Sequence, residues 1–130
     1  MRYDQFLNNV RDRGGYRDRQ EAERIAQVVL AVLARRLDPG EAQHLASQLP
    51  VQAAVIVVDQ AGPSAQALST REFLAQVAER TGGSDRTAQW DASAVLSTVA
   101  DAITGGELHD VLTQLPSGYA ALFGRPVLSG

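Results

Sequence analysis

Apolar residues recur at helical spacing along most of the chain. The longest stripe repeats at i, i+3, i+4 and i+7, which is the period of one buried helix face. It comprises Ala22, Ile25, Ala26, Val29, Leu30, Leu33 and Leu37. A second stripe with the same spacing comprises Ala88, Ala92, Val95, Leu96, Val99 and Ile103. The pattern therefore predicts two long amphipathic helices, one in each half of the chain.

The two halves also resemble each other residue by residue. Phe6-Leu7 matches Phe73-Leu74 at an offset of 67, and Gly40-Glu41 with Gln48-Leu49-Pro50 matches Gly106-Glu107 with Gln114-Leu115-Pro116 at an offset of 66. Such ordered self-similarity is typical of an internal duplication. We therefore divide the chain into copy one (1–58), a linker (59–68), copy two (69–124) and a loose tail (125–130).

Capping residues mark where the first two helices of each copy begin and end. Ser69 and Glu72 have the spacing of a capping box. Gly14-Gly15 and Gly82-Gly83 are typical of helix ends, because glycine accepts the left-handed backbone conformation there. Asp18 and Asp85 are predicted as N-caps of the long second helices.

The third helices are predicted to begin at Asp38-Pro39-Gly40-Glu41 and Thr104-Gly105-Gly106-Glu107. Both segments have the spacing of capping boxes, with a glutamate at the third helical position. Pro50 and Pro116 end these helices, and a fourth helix follows at Ser117–Phe123 in copy two. The equivalent run, Val51–Val58, has a strand-like composition, but the repeat favours a helix.

The expected fold is all-α, a tandem duplication of a roughly four-helix unit that forms one compact helical bundle domain. The segment Tyr3-Asp4-Gln5-Phe6-Leu7, the repeated Gly-Glu…Gln-Leu-Pro and the spacing near 66 resemble a bacterial family, domain-of-unknown-function family 2267. The resemblance runs from Tyr3 to Phe123, and the valine-rich fourth helix of copy one departs from it. It implies a helical protein without an assigned activity or catalytic residues to transfer.

Composition narrows the possible chemistry. The chain has 130 residues, of which 45% are hydrophobic and 21% charged, as in a globular protein. The absence of cysteine excludes disulfides, thiol catalysis and zinc sites built on sulfur. The longest apolar run, Val28–Ala34, is too short to cross a bilayer, and no export signal is evident. We therefore expect a cytoplasmic protein with no membrane association.

All 12 basic residues are arginines, and they are unevenly distributed. The segment before Leu37 holds eight arginines and five acidic residues, a balance of +3, whereas the remainder has a balance of −6. Such an asymmetry is one sign of a nucleic-acid binder. These arginines alternate with acidic residues and few aromatics accompany them, which favours a solvated face. Binding of nucleic acid is therefore only a further alternative.

A metal site is the more specific alternative. Glu41 and His44 form a Glu-x-x-His pair on one helix face, and Glu107 and Asp110 occupy the same two positions in copy two. A two-fold arrangement of the copies would bring these four ligands together, in a set suited to Fe, Mn or Zn. Capping explains both glutamates without a metal, so no metal or other cofactor is assigned at this point.

The sequence contains no recognisable catalytic or nucleotide-binding motif. Ser47, Ser93 and Ser97 fall within helices rather than on the sharp turn that exposes a nucleophile. No glycine-rich phosphate loop is present, and His44 and His109, the two histidines, are both expected on the surface. The chain is therefore predicted not to be an enzyme, and no small-molecule substrate is inferred.

Two surfaces are candidates for binding a protein partner. Trp90 lies opposite the buried stripe of its helix, and the equivalent residue in copy one is Arg24. Exposed valines in the fourth helix of copy one, among Val55, Val57 and Val58, would form an apolar patch of the kind that marks association sites. The favoured interpretation is a non-catalytic scaffold or interaction domain that self-associates or binds another protein.

Overall fold

The computed structural model describes residues 1–125, and these residues contain eight α-helices. The helices are α1 (Tyr3–Gly14), α2 (Arg19–Arg36), α3 (Pro39–Ala46), α4 (Val51–Gln60), α5 (Thr70–Thr81), α6 (Asp85–Ala102), α7 (Gly105–Thr113) and α8 (Tyr119–Leu122). The all-α fold expected from the sequence is confirmed. The predicted loose tail lies outside the described residues, apart from Arg125.

The two long helices, α2 and α6, form the centre of the core. The α2 helix contacts α1, α4, α5 and α6, and every residue from Val29 to Ala34 is buried. The two shorter helices α1 and α5 each contact both long helices. The buried apolar side chains of both halves therefore form one continuous cluster, and the chain is one bundle domain rather than two independent units.

The helix ends follow the predicted capping residues, with one correction. Asp18 caps α2 by accepting a hydrogen bond from the Glu21 amide at 2.9 Å. For α6, however, the N-cap is Ser84 rather than Asp85. The Ser84 hydroxyl accepts from the Thr87 amide while the Thr87 hydroxyl accepts from the Ser84 amide. This reciprocal pair starts the helix so that Asp85 is its first residue, where a negative charge still favours the helix dipole.

Glycine ends α1 and α5 as predicted. Gly15 and Gly82 follow these helices with φ of 66° and 77°. This left-handed conformation is costly for residues with a Cβ atom.

Val51–Val58 is helical. The repeat predicted a helix here, whereas the composition of the segment is typical of a strand. Burial explains the difference, since α4 packs against α2 and α3 and buries Ala53 and Val57. The helix extends through Gln60, so the predicted linker, 59–68, begins inside α4 and the actual connection is 61–69. This connection is held against the end of α2, where the Gln66 amide donates to the Arg35 carbonyl at 2.9 Å.

The last helix is shorter than predicted, since α8 covers Tyr119–Leu122 rather than Ser117–Phe123. Tyr119 is fully buried, and its ring meets that of Phe73 edge-on at 5.2 Å between centroids. Its hydroxyl donates to the Leu68 carbonyl at 3.0 Å. The order of helix lengths is similar in the two halves, and the duplication itself stays a prediction from the sequence.

Replacing a buried aromatic ring should destabilise the bundle far more than replacing an exposed one. We expect Phe73→Ala, which removes a fully buried ring, to lower the free energy of unfolding by about 3–5 kcal/mol. Trp90→Ala, at a side chain left mostly exposed, should cost less than about 1 kcal/mol. Urea unfolding followed by circular dichroism measures both, and equal losses would contradict this assignment of the core.

Candidate functional site

The third helices of the two halves, α3 and α7, meet through reciprocal hydrogen bonds at their ends. Gln48, which follows α3, accepts from the amide of Thr104 at the start of α7 (2.8 Å). Gln114, which follows α7, accepts from the amide of Asp38 at the start of α3 (3.4 Å). The two helices therefore run antiparallel, and each glutamine fixes the other helix.

Four ionisable side chains converge at this junction: Glu41 and His44 from α3 and Glu107 and Asp110 from α7. One potential ligand atom from each lies within 4.8 Å of the other three. The His44 Nδ1 atom lies 2.7 Å from Glu107 Oε1 and 3.6 Å from Glu41 Oε2. We call this group the α3–α7 cluster. The structure thus brings together all four metal-site candidates from the sequence.

The explanation of the two glutamates as capping residues is wrong. Asp38 and Thr104 do cap their helices, accepting from the amides of Gly40 and Glu107 respectively. Neither Glu41 nor Glu107, however, completes a capping box by reaching back to the N-cap amide. Their carboxylates lie instead at the junction between the helices.

The carboxylates of this cluster are buried without sufficient partners. The Glu107 side chain is 0% exposed and the Glu41 side chain 9%. His44 Nδ1 contacts Glu107 Oε1, but without the geometry of a hydrogen bond, and neither Glu107 Oε2 nor Glu41 Oε2 makes a hydrogen bond. Glu41 Oε1 accepts one hydrogen bond from the Gln114 amide group, at 3.4 Å. Unpaired buried carboxylates are costly in a folded protein, so this arrangement requires an explanation beyond folding.

Burial of Glu107 raises its pKa to about 8, and the nearby carboxylates of Glu41 and Asp110 act in the same direction. Its ordinary value is 4.5. Between these two pH values the folded protein holds a proton that the unfolded chain has released. The stability of the metal-free protein should therefore decrease as the pH rises through this window.

Removing the titrating group should flatten this pH dependence. In buffer containing a chelator, we expect Glu107→Gln to be more stable than the parent protein above pH 8, by about 1 kcal/mol or more. Urea unfolding at a series of pH values measures this difference. Glu79→Gln, at an exposed position on α5, is the matched control. Parallel pH profiles for the parent and Glu107→Gln would contradict the assignment.

The exposed side of α4 is the second candidate site. Val51, Val55 and Val58 are 74%, 50% and 47% exposed, and we call them the α4 valine stripe. Val57, predicted together with Val55 and Val58 as an interface residue, is instead fully buried. It faces away from the stripe, because it lies about 160° around the helix from Val55 and about 100° from Val58.

A shallow groove of about 350 Å³ runs beside the α4 valine stripe. Ala46 and Leu49, from the end of α3 and the segment after it, line the groove together with Ala54. It therefore combines small and apolar side chains next to protruding valines.

Trp90 is 59% exposed at the edge of the contact between α1 and α6. Its indole N–H donates to the Gly14 carbonyl at 2.8 Å. Along the same face of α6, Ala94 is buried and Arg13 pairs with Ser97 and Asp101. The exposed apolar surface at Trp90 is thus confined to one side chain.

Four of the eight arginines before Leu37 form ion pairs with acidic side chains. Arg11 pairs with Asp12, Arg17 with both Asp18 and Glu21, Arg2 with Asp4, and Arg13 with Asp101. His109 lies on the surface, as expected. His44 is also exposed, but its Nδ1 atom faces the α3–α7 cluster.

Sequence reasoning missed the role of the two glutamines. Gln48 and Gln114 were noted only as part of the repeated Gln-Leu-Pro, although they fix α3 against α7. Their recurrence at equivalent positions was the available signal. It also missed Asp91, which is buried on α6 and accepts a hydrogen bond from the Tyr16 hydroxyl.

Comparison with protein families gives a match over most of the chain. A family model described as an uncharacterized conserved protein, DUF2267, matches residues 3–122. The chain belongs to the DUF2267 family. The resemblance inferred from the sequence is therefore confirmed over nearly the whole chain. No match was found among curated proteins.

Membership of this family assigns no activity to the chain, since the DUF2267 description states none. Within residues 1–125, none of the helices combines the length and apolar character needed to cross a membrane.

Proposed function

We propose that this DUF2267 protein is a non-catalytic cytoplasmic domain that self-associates through the α4 valine stripe. The observation that carries the proposal is the exposure of three valines, Val51, Val55 and Val58, on one face of a helix. Contiguous exposed apolar side chains mark association surfaces more often than isolated ones do.

The spacing of the stripe suits contact with another helix. Val51, Val55 and Val58 are related as i, i+4 and i+7, so they form a row along one side of α4. Asp59 is the single charged residue of α4, and it lines the groove beside the stripe. A row of valines of this kind can lie against a second apolar helix when Asp59 stays at the rim of the contact, where its charge remains solvated.

The same features favour a second copy of the chain as the partner. A two-fold dimer requires a self-complementary surface, because the same patch faces itself. The protruding valines and the groove lined by Ala46, Leu49 and Ala54 lie side by side. Valines of one copy can therefore enter the groove of the other, where Asp59 is the one charged residue of the lining.

Two serines considered as nucleophiles support the non-catalytic part of the proposal. The Ser47 hydroxyl, at the C-cap of α3 rather than within a helix as expected, donates to the His44 carbonyl at 2.6 Å, and the Ser97 hydroxyl, within α6, donates to the Ala94 carbonyl at 3.4 Å. Both hydroxyls bond to backbone carbonyls and are not paired with a general base, as an activated nucleophile would be.

Charge placed on the stripe should dissociate the assembly. We expect the parent protein to form a dimer in native mass spectrometry and sedimentation velocity, and the double variant Val55→Asp, Val58→Asp to be monomeric. Both positions are exposed, so the variant should keep the helical circular dichroism of the parent. Gln52→Asp is the matched control for the single variant Val55→Asp, because each adds one negative charge to α4 and Gln52 lies outside the stripe.

Trp90→Ala tests the second candidate surface, at the edge of α6, against the α4 valine stripe. It should leave the dimer intact if α4 forms the interface. A parent protein that stays monomeric at its highest soluble concentration would contradict self-association. Dissociation by Trp90→Ala but not by the α4 double variant would move the interface to the edge of α6.

A further inference from the structure

We propose that the α3–α7 cluster binds one divalent transition-metal ion, of the Mn(II), Fe(II) or Zn(II) class. The ligands would be Glu41, His44, Glu107 and Asp110. The site is separate from the α4 valine stripe, and it explains side chains that neither the fold nor the self-association requires.

The buried carboxylates are the strongest reason for the proposal. The Glu107 side chain is fully buried, and neither of its carboxylate oxygens makes a hydrogen bond, although His44 Nδ1 lies 2.7 Å from Oε1. Glu41 Oε2, on the facing helix, is also buried without a hydrogen bond. Two carboxylates placed together in this way repel each other when ionised. A bound cation would neutralise both charges and supply the missing contacts.

The distances fit a coordination shell after small side-chain movements. Metal–ligand bonds of about 2.0–2.2 Å place donor atoms on opposite sides of an ion about 4.2 Å apart, and adjacent donors about 3 Å apart. His44 Nδ1 lies 2.7 Å from Glu107 Oε1, and all four ligand atoms lie within 4.8 Å of one another. Bringing them onto one ion requires rotation of side chains rather than movement of helices.

Neighbouring groups orient these ligands. The Gln114 amide donates to Glu41 Oε1, which leaves Oε2 free to face the cluster. The backbone amide of Glu107 donates a hydrogen bond to the Thr104 hydroxyl, and the backbone amide of Thr104 donates one to the Gln48 side chain. Outer groups that hold ligands in place are a regular part of protein metal sites, and here they come from both halves of the chain.

The ligand types select the class of ion. Three carboxylates and one imidazole, with no sulfur, suit Mn(II), Fe(II) and Zn(II) better than a soft ion such as Cu(I). Imidazole is also uncommon among ligands of Ca²⁺ and Mg²⁺, which prefer oxygen. The four-carboxylate, two-histidine set of di-iron bundles is incomplete, so the cluster accounts for one ion per chain.

One side of the cluster is open, which gives an ion a route in. The His44 side chain is 56% exposed and Asp110 is exposed, whereas Glu107 lies at the buried end. An ion can therefore meet the outer ligands first and then the buried carboxylate.

The test is a titration of metal-free full-length protein with MnCl₂ and, separately, ZnCl₂. Calorimetry measures the stoichiometry, and the electron paramagnetic resonance of Mn(II) gives an independent readout of bound ion. We expect one ion per chain, and an affinity lower by at least about tenfold in Glu107→Gln and in His44→Ala. His109→Ala and Glu79→Gln, at exposed positions outside the cluster, should bind as the parent does.

Thermal unfolding shows whether each variant is folded before its metal affinity is compared. At one fixed metal concentration, the midpoint of the parent and of both control variants should rise, because the ion binds the folded state, and that of Glu107→Gln should rise less. The proposal is overturned if the folded parent binds neither ion, in which case the carboxyl pair is merely held protonated. It is equally overturned if Glu107→Gln and His44→Ala bind as tightly as the parent.

Discussion

The two long helices, α2 and α6, are the elements around which the other helices are arranged. Each of these helices has 18 residues, and eight of the alanines they contain are buried. Small side chains let neighbouring helices approach closely, and Leu30, Leu33 and Leu96 are fully buried in the same core. Since α1 and α5 each pack on both long helices, neither half can form its full core alone.

The packing of the two long helices determines where the short helices α3 and α7 lie. Both α3 and α7 follow directly after a long helix, within a few residues of its end. Because the two long helices pack together, the two third helices meet and can exchange the hydrogen bonds made by Gln48 and Gln114. The α3–α7 cluster is therefore a consequence of how the two halves join. The end of α3 also lines the groove beside the α4 valine stripe, so both candidate sites depend on the placement of one short helix.

The sequence was sufficient for most of the fold because its signals are local. Apolar periodicity and residues such as Asp18 and Ser69 act within one or two turns of a helix, and there the predictions are confirmed apart from the one-residue shift at Ser84. The α3–α7 cluster could not be predicted in this way. The sequence of a glutamate three residues after an N-cap is the same whether its side chain caps its own helix or faces another helix. Whether Glu107 is buried depends on α3, more than 60 residues away in the sequence. In the same way, only the packing of α4 on α2 distinguishes buried Val57 from exposed Val58.

The composition of α4 has a further consequence for the unfolded chain. Val51–Val58 contains five β-branched residues and no charge, glycine or proline, which is the composition of segments that stack into cross-β fibrils. Its helical state depends on packing against α2 and α3 rather than on intrinsic preference. Pro50 and Asp59 border the segment directly, and residues of these types interrupt β-stacking at the ends of such runs. Packing in the bundle thus keeps this segment helical, although its composition favours cross-β fibrils when the chain is unfolded.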